Sequence, residues 1–109
     1  MLQYEELRLS LLENEKPLEE LKVALGLDAM REEIKELEKA AAKEGFWDDL
    51  ENSQKVLQRT SALKNKVASY EALKQSYDDA LVMIELADEE EDESLLDECT
   101  ESVNEFKSQ

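Results

Sequence analysis

The chain has 109 residues, 39% of them charged, with a formal net charge of −16 and no histidine. That length suits one small domain or a piece of a longer protein, and so acidic a surface is repelled by phosphate backbones, which argues against a primary nucleic-acid-binding role. Two glycines, one proline and a scarcity of β-branched residues leave little for turns or strands and suit long amphipathic helices.

In chain order, Tyr4, Leu7, Leu11, Leu18, Leu21 and Leu25 keep the three-to-four spacing of a helix seam, skipping Asn14. Pro17 interrupts it. Proline lacks an amide donor and crowds the carbonyl four residues back, so the pattern predicts either a kink or a restart there. Gly26 reads as a helix stop and Asp28 as the cap of the next helix.

A second helix is predicted over about 29–43, with Met30, Ile34, Leu37 and Ala41 as its buried stripe. Arg31, Lys35, Lys39 and Lys43, each four residues apart, form a basic stripe beside it. Gly45 is expected to end this helix in the left-handed conformation that glycine adopts readily.

The corner that follows, "GFWDDL", places Phe46 and the chain's one tryptophan, Trp47, next to Gly45. Gly45, Phe46 and Trp47 are read as structural anchors, with both rings folded back onto the end of a bundle; the alternative for Trp47 is an exposed aromatic presented to a partner. Asp48 or Asp49 is expected to cap a long third helix from about Leu50 to Ala87. Val56, Leu63, Tyr70, Tyr77 and Ile84 recur in it every seven residues, with Val67, Leu73, Ala80 and Leu81 beside them, a coiled-coil-like seam.

The acidic run 88–93 then reads as a solvated, flexible turn. Ser94 is the expected cap of a last helix with Leu95 or Leu96, Cys99, Val103 and Phe106 inside. Together these elements predict an all-α fold: an antiparallel helical bundle of three to four helices, one long and coiled-coil-like, forming a single helical domain over 1–109.

Little in the sequence carries chemistry. Without histidine there is no histidine-dependent triad or zinc site, and Cys99 has no activating base. Two glycines 19 residues apart cannot form a phosphate loop. Asp88, Glu90 and Asp92 imitate the start of a calcium loop, but Glu93 stands where glycine is required and Cys99 where a bidentate glutamate belongs. No catalytic, cofactor-binding or metal-binding residue is assigned.

The charge is uneven. Residues 77–109 hold 13 acids and one base, while 52–70 hold no acid beside Lys55, Arg59, Lys64 and Lys66. Two readings of the cations stay open: internal balance against the acids, or a docking face for something acidic. On the second reading Arg31, Lys35, Lys39, Lys55 and Arg59 are the candidate partner contacts. The longest apolar run, 80–84, is far too short to cross a bilayer, which takes about 20 residues. With one unpaired cysteine and no signal-peptide layout, the chain is expected to be cytoplasmic.

"KPLEELKVALGLD" (16–28), "GFWDDLENSQKVL" (45–57) and the stretch 63–98 resemble the N-terminal region of bacterial peptide chain release factors of type 2. The Phe-Trp-x-Asp turn and the Ser-Gln-Lys-Val that follows it are more similar to type 2 than to type 1. The resemblance implies a helical first domain of a longer factor that ends translation at UGA and UAA codons. In that family decoding uses Ser-Pro-Phe and peptidyl-tRNA hydrolysis uses Gly-Gly-Gln. Neither motif is in these 109 residues, and the encoding gene is expected to continue into both. The partners the resemblance implies are the ribosomal stalk base in the GTPase-associated centre and the GTPase release factor, with no direct stop-codon contact. The alternative from another class is a free-standing coiled-coil adaptor or helical chaperone that binds a partner helix. A small core also leaves self-association of the chain open.

Overall fold

A computed structural model of the chain describes all 109 residues, Met1–Gln109. It is all-α, with five helices: α1 (Leu2–Leu12), α2 (Glu15–Leu25), α3 (Leu27–Ala41), α4 (Leu50–Glu89) and α5 (Leu96–Lys107). Short 3-10 turns at Phe46–Asp48 and Glu93–Leu95 precede α4 and α5. No helix is long and apolar enough to cross a membrane. The chain divides into two compact units, residues 1–21 with 71–109 (unit 1) and residues 22–70 (unit 2).

Pro17 divides the first helix rather than bending it. It lies in the first turn of α2, where a missing N–H costs nothing, and the carbonyl it cannot bond belongs to Glu13, the residue that closes α1. Asn14, the polar skip in the seam, turns its side-chain amide onto the carbonyls of Ser10 at 3.3 Å and Leu11 at 3.5 Å. The seam itself splits: Tyr4, Leu11 and Leu18 are buried in unit 1, Leu25 packs in unit 2, and Leu21 stays exposed.

Unit 1 is built on α1, the start of α2, the second half of α4, and α5. Its core holds Tyr4, Leu11, Leu18, Tyr77, Ala80, Ile84, Ala87, Cys99, Val103 and Phe106. Tyr77 and Phe106 meet edge to face at 5.5 Å, and the Lys74 ammonium lies over the Tyr77 ring at 5.2 Å. Polar ties fix the register. The Met1 ammonium pairs with Asp88 at 2.6 Å, the Tyr4 hydroxyl donates to the Asp92 carbonyl, and the Lys107 ammonium donates to Ser10. Hence α1 runs antiparallel to α4 and parallel to α5. Burial pushes the Tyr4 phenol and the Cys99 thiol above their ordinary pKa values, so Cys99 is a small core residue.

The acidic run follows a defined turn geometry. Asp88 and Glu89 are the last helical residues of α4, and Glu91 takes the left-handed conformation (φ 53°). The Asp92 amide then bonds the Ala87 carbonyl at 3.1 Å and the Glu91 amide bonds Asp88 at 3.0 Å, the paired bonds of a Schellman ending. The cap beyond it is Asp92, whose carboxylate accepts from the Ser94 amide at 2.9 Å. Ser94, the cap expected from the pattern, is instead the donor, because a 3-10 turn precedes the helix and moves the capping position two residues earlier.

Unit 2 is a helical hairpin of α3 and the first half of α4, entered through the end of α2. Gly26 alone separates α2 from α3. Its left-handed backbone (φ 67°, ψ 47°) starts α3 at Leu27, so Asp28 lies inside the first turn and does not cap it. This earlier start swings Leu27 to 2% exposure against Val67 and Tyr70, while Met30 and Ile34 are half-buried around it. Leu37 and Ala41 are half-buried as well. Along α4 Leu63, Tyr70, Tyr77 and Ile84 keep the heptad period, while the second buried position shifts from four residues after it, at Ser53 and Val67, to three, at Ala80 and Ala87.

Candidate functional site

The corner of the hairpin is assembled from short-range bonds. α3 ends at Ala41, two residues before the expected stop, and Gly45 instead occupies the third position of a hydrogen-bonded turn, Lys43 to Phe46. Its φ of 83° and ψ near 0° are the dihedrals a type II turn requires there. Phe46 is buried. Trp47 is 60% exposed, in contrast to the two rings expected to fold inward together. Successive side chains of a 3-10 turn point about 120° apart, so burying Phe46 turns Trp47 outward. The two rings meet edge to face at 5.1 Å.

Asp49 caps α4, accepting from the Asn52 amide at 3.1 Å. Ser53, 0% exposed, closes the corner from inside: its Oγ lies 2.6 Å from the Phe46 carbonyl and 2.8 Å from that of Asp49. Sequence reasoning passes over Ser53. Its one signal is position, three residues before Val56 in a heptad that otherwise holds apolar side chains.

The structure places all five candidate contact cations in unit 2 and gives each an acidic neighbour. On α3, Arg31 faces Asp28 at 3.8 Å, Lys35 faces Glu32 at 3.4 Å, and Lys39 faces Glu36 at 3.8 Å, each three residues back. On α4, Lys55 pairs with Glu51 at 3.4 Å. Arg59 reaches across to α3 and donates to both carboxylate oxygens of Glu33, at 2.7 and 3.3 Å. That pair holds the Arg59 guanidinium pKa above its ordinary value. Lys64 similarly faces Glu38 at 3.6 Å. These pairs are solvent-exposed and screened by water and salt, so they balance charge at the surface of the unit.

Balance of charge is the dominant property of the unit. Residues 22–70 hold nine acids and nine bases, a net charge of zero, while unit 1 holds 20 acids and four bases. The entire −16 therefore sits in unit 1. An open groove of about 160 Å³ in unit 1, lined by Pro17, Leu18, Leu21, Leu73 and Phe106 with Lys107 at its rim, brings no pair of titratable groups together.

Residues 30–109 match the PCRF domain family. Among curated proteins the chain is similar to peptide chain release factor 2 of Acidothermus cellulolyticus, 45% identical over 63% of this chain and 19% of the relative. It is similar also to peptide chain release factor 2 of Staphylococcus saprophyticus, 35% identical over 88% of this chain and 26% of the relative. For the same factor of Streptomyces avermitilis the figures are 40% identity, 69% and 20%. The chain spans about a fifth to a quarter of the length of these relatives. No solved structure matches it significantly. With the family matched across most of its helices, including the Phe-Trp corner, the chain belongs to the PCRF-domain family.

Proposed function

We propose that the chain serves translation termination as the N-terminal helical domain of a type 2 peptide chain release factor. The longer protein would act at UGA and UAA codons, with its decoding and hydrolytic groups outside these 109 residues. On this reading the domain contributes contact and spacing, not catalysis. It meets the ribosome at the stalk base in the GTPase-associated centre, where stimulation by the GTPase release factor is received.

The observation that carries the docking part is the charge division between the units. A ribosome presents a dense field of phosphate, which repels the −16 of unit 1 and exerts no net repulsion on unit 2. Arg31, Lys35, Lys39, Lys55 and Arg59 are then the contacts, because exposed ion pairs exchange readily for phosphate.

The test is charge reversal in the longer factor: Arg31→Glu, Lys35→Glu and Lys39→Glu together, and separately Lys55→Glu with Arg59→Glu. Association with ribosomes should weaken, and the slope of log K against log salt should flatten by about one for each phosphate no longer neutralised. Unchanged affinity with an unchanged salt slope would refute the assignment.

A further inference from the structure

The corner differs from the rest of unit 2 in both polarity and charge. Trp47 and Leu50 are 60% and 64% exposed, and Leu57, two turns along the same face of α4 as Leu50, is exposed too. Around them residues 44–51 carry Glu44, Asp48, Asp49 and Glu51 and no base. The remainder of the unit has five acids and nine bases. An otherwise cationic hairpin thus ends in an apolar, anionic tip whose largest side chain is an outward-facing indole. The turn directs this position outward, but nothing in the fold of unit 2 needs an indole there, since Phe46, Ser53 and the Asp49 cap already close the corner.

The geometry points to this corner as a docking surface for a lysine- and arginine-rich, partly apolar segment of another protein, with Trp47 as the anchor. The chemistry selects that occupant. The indole face attracts a guanidinium or ammonium, the leucines accept the aliphatic stems of such side chains, and Glu44, Asp48 and Asp49 supply the complementary field, Glu51 being paired with Lys55. Nucleic acid is disfavoured because the carboxylates repel phosphate. A second copy of the chain is disfavoured because a two-fold contact would set the acids of one corner against those of the other. The inference rests on the reading of unit 2 as the docking unit and adds a second, oppositely charged patch to it.

Trp47 is the chain's one tryptophan, so its emission reports on the corner alone. The 109-residue chain is titrated at physiological salt with a short fluorescein-labelled peptide alternating Lys/Arg with Leu, following both anisotropy and Trp47 emission. The same peptide carrying Glu for Lys/Arg, and a single-stranded RNA, serve as comparisons. Expected is a saturable blue shift with the basic peptide alone. Trp47→Ala, checked for retained helicity, should weaken binding about tenfold, and Leu86→Ala, an exposed leucine of unit 1, should not.

Binding that leaves Trp47 emission unchanged would mean that unit 1 captured the peptide, and would overturn the proposal. So would an equal shift with RNA, or a shift on concentrating the chain alone, which would mark self-association. Ribosome binding separates the two readings. If the Arg31/Lys35/Lys39 reversal weakens it while these titrations fail, the corner assignment falls and the cationic face stands. If only the reversal fails, the cationic face falls instead.

Discussion

Ser53→Ala probes the corner most directly. The Ser53 amide bonds the Asp49 carbonyl at 2.9 Å, so removing Oγ leaves that carbonyl satisfied. The Phe46 carbonyl, 2.6 Å from Oγ in a buried setting, loses its hydrogen-bond donor. Stranding a buried acceptor costs about 1–3 kcal/mol. Alanine returns about 0.5 kcal/mol in helix propensity over serine, leaving a net loss of about 0.5–2.5 kcal/mol.

An unfolding entropy of roughly 2.1 cal/mol/K per residue converts this to a fall in Tm of about 2–11 °C if the chain melts as one. Should unit 2 melt alone, its 49 residues carry less than half that entropy and the fall doubles. Circular dichroism follows both units and Trp47 emission follows unit 2, so the two cases separate in one experiment. Ser61→Ala, at an exposed position of the same helix, gives the propensity term by itself. A Tm for Ser53→Ala within 1 °C of that for Ser61→Ala would refute the claim that the buried hydroxyl holds the corner.

Glu91→Gly should stabilise the chain by up to about 1 kcal/mol, because the left-handed residue of the Schellman ending costs an L side chain about 1–2 kcal/mol and glycine's freedom in the unfolded chain returns part of it. Denaturant melts compare it with Glu91→Ala, which keeps the strain and should gain nothing. The Met1–Asp88 ion pair predicts a pH dependence. The carboxylate beside it raises the Met1 ammonium pKa above its ordinary 8.0, so the stabilisation is fully present below about pH 8 and is lost as pH rises through the folded value. Melts of the chain and of Asp88→Asn should therefore differ at pH 7 and converge on the alkaline side; a gap that persists or widens there would contradict the linkage.

The long helix is legible because its seam is local and periodic: spacing alone marks Leu63, Tyr70, Tyr77 and Ile84 as buried, and they are. Expectation and structure part where one backbone dihedral redirects everything after it. Gly26 reads as a stop followed by a capped start, but one left-handed residue carries α2 into α3 and brings Leu27 inside. Trp47 reads as inward with its neighbour, and a 3-10 turn forbids that. Glu91 takes a conformation usually left to glycine, so no residue type announces the defined turn of the acidic run. For the cations, the pairs three residues apart on α3 are visible in the sequence. The Arg59–Glu33 pair, 26 residues apart, needs the hairpin.

The allocation of charge and of core between the units is itself an argument about function. Exposed, screened ion pairs stabilise too weakly to explain 18 charges in 49 residues as a stability device. Nor does stability explain placing all of the −16 in unit 1, where like charges repel. The apolar cores sort in the same direction. Unit 1 opposes its self-repulsion with ten buried apolar residues, whereas unit 2 buries five, Leu27, Phe46, Leu63, Val67 and Tyr70. At about 1.5–3 kcal/mol per fully buried large side chain, unit 2 has little reserve and depends on neutrality and on the bonds at its corner. A neutral hairpin with a thin core is the part of this molecule that opens at least cost. It is also the part that a polyanionic surface does not repel, and it carries the exposed indole. Those properties coincide in unit 2, and the proposed docking role asks for all three: an element that approaches a phosphate-rich partner without net repulsion, gives way at low cost and presents an anchor.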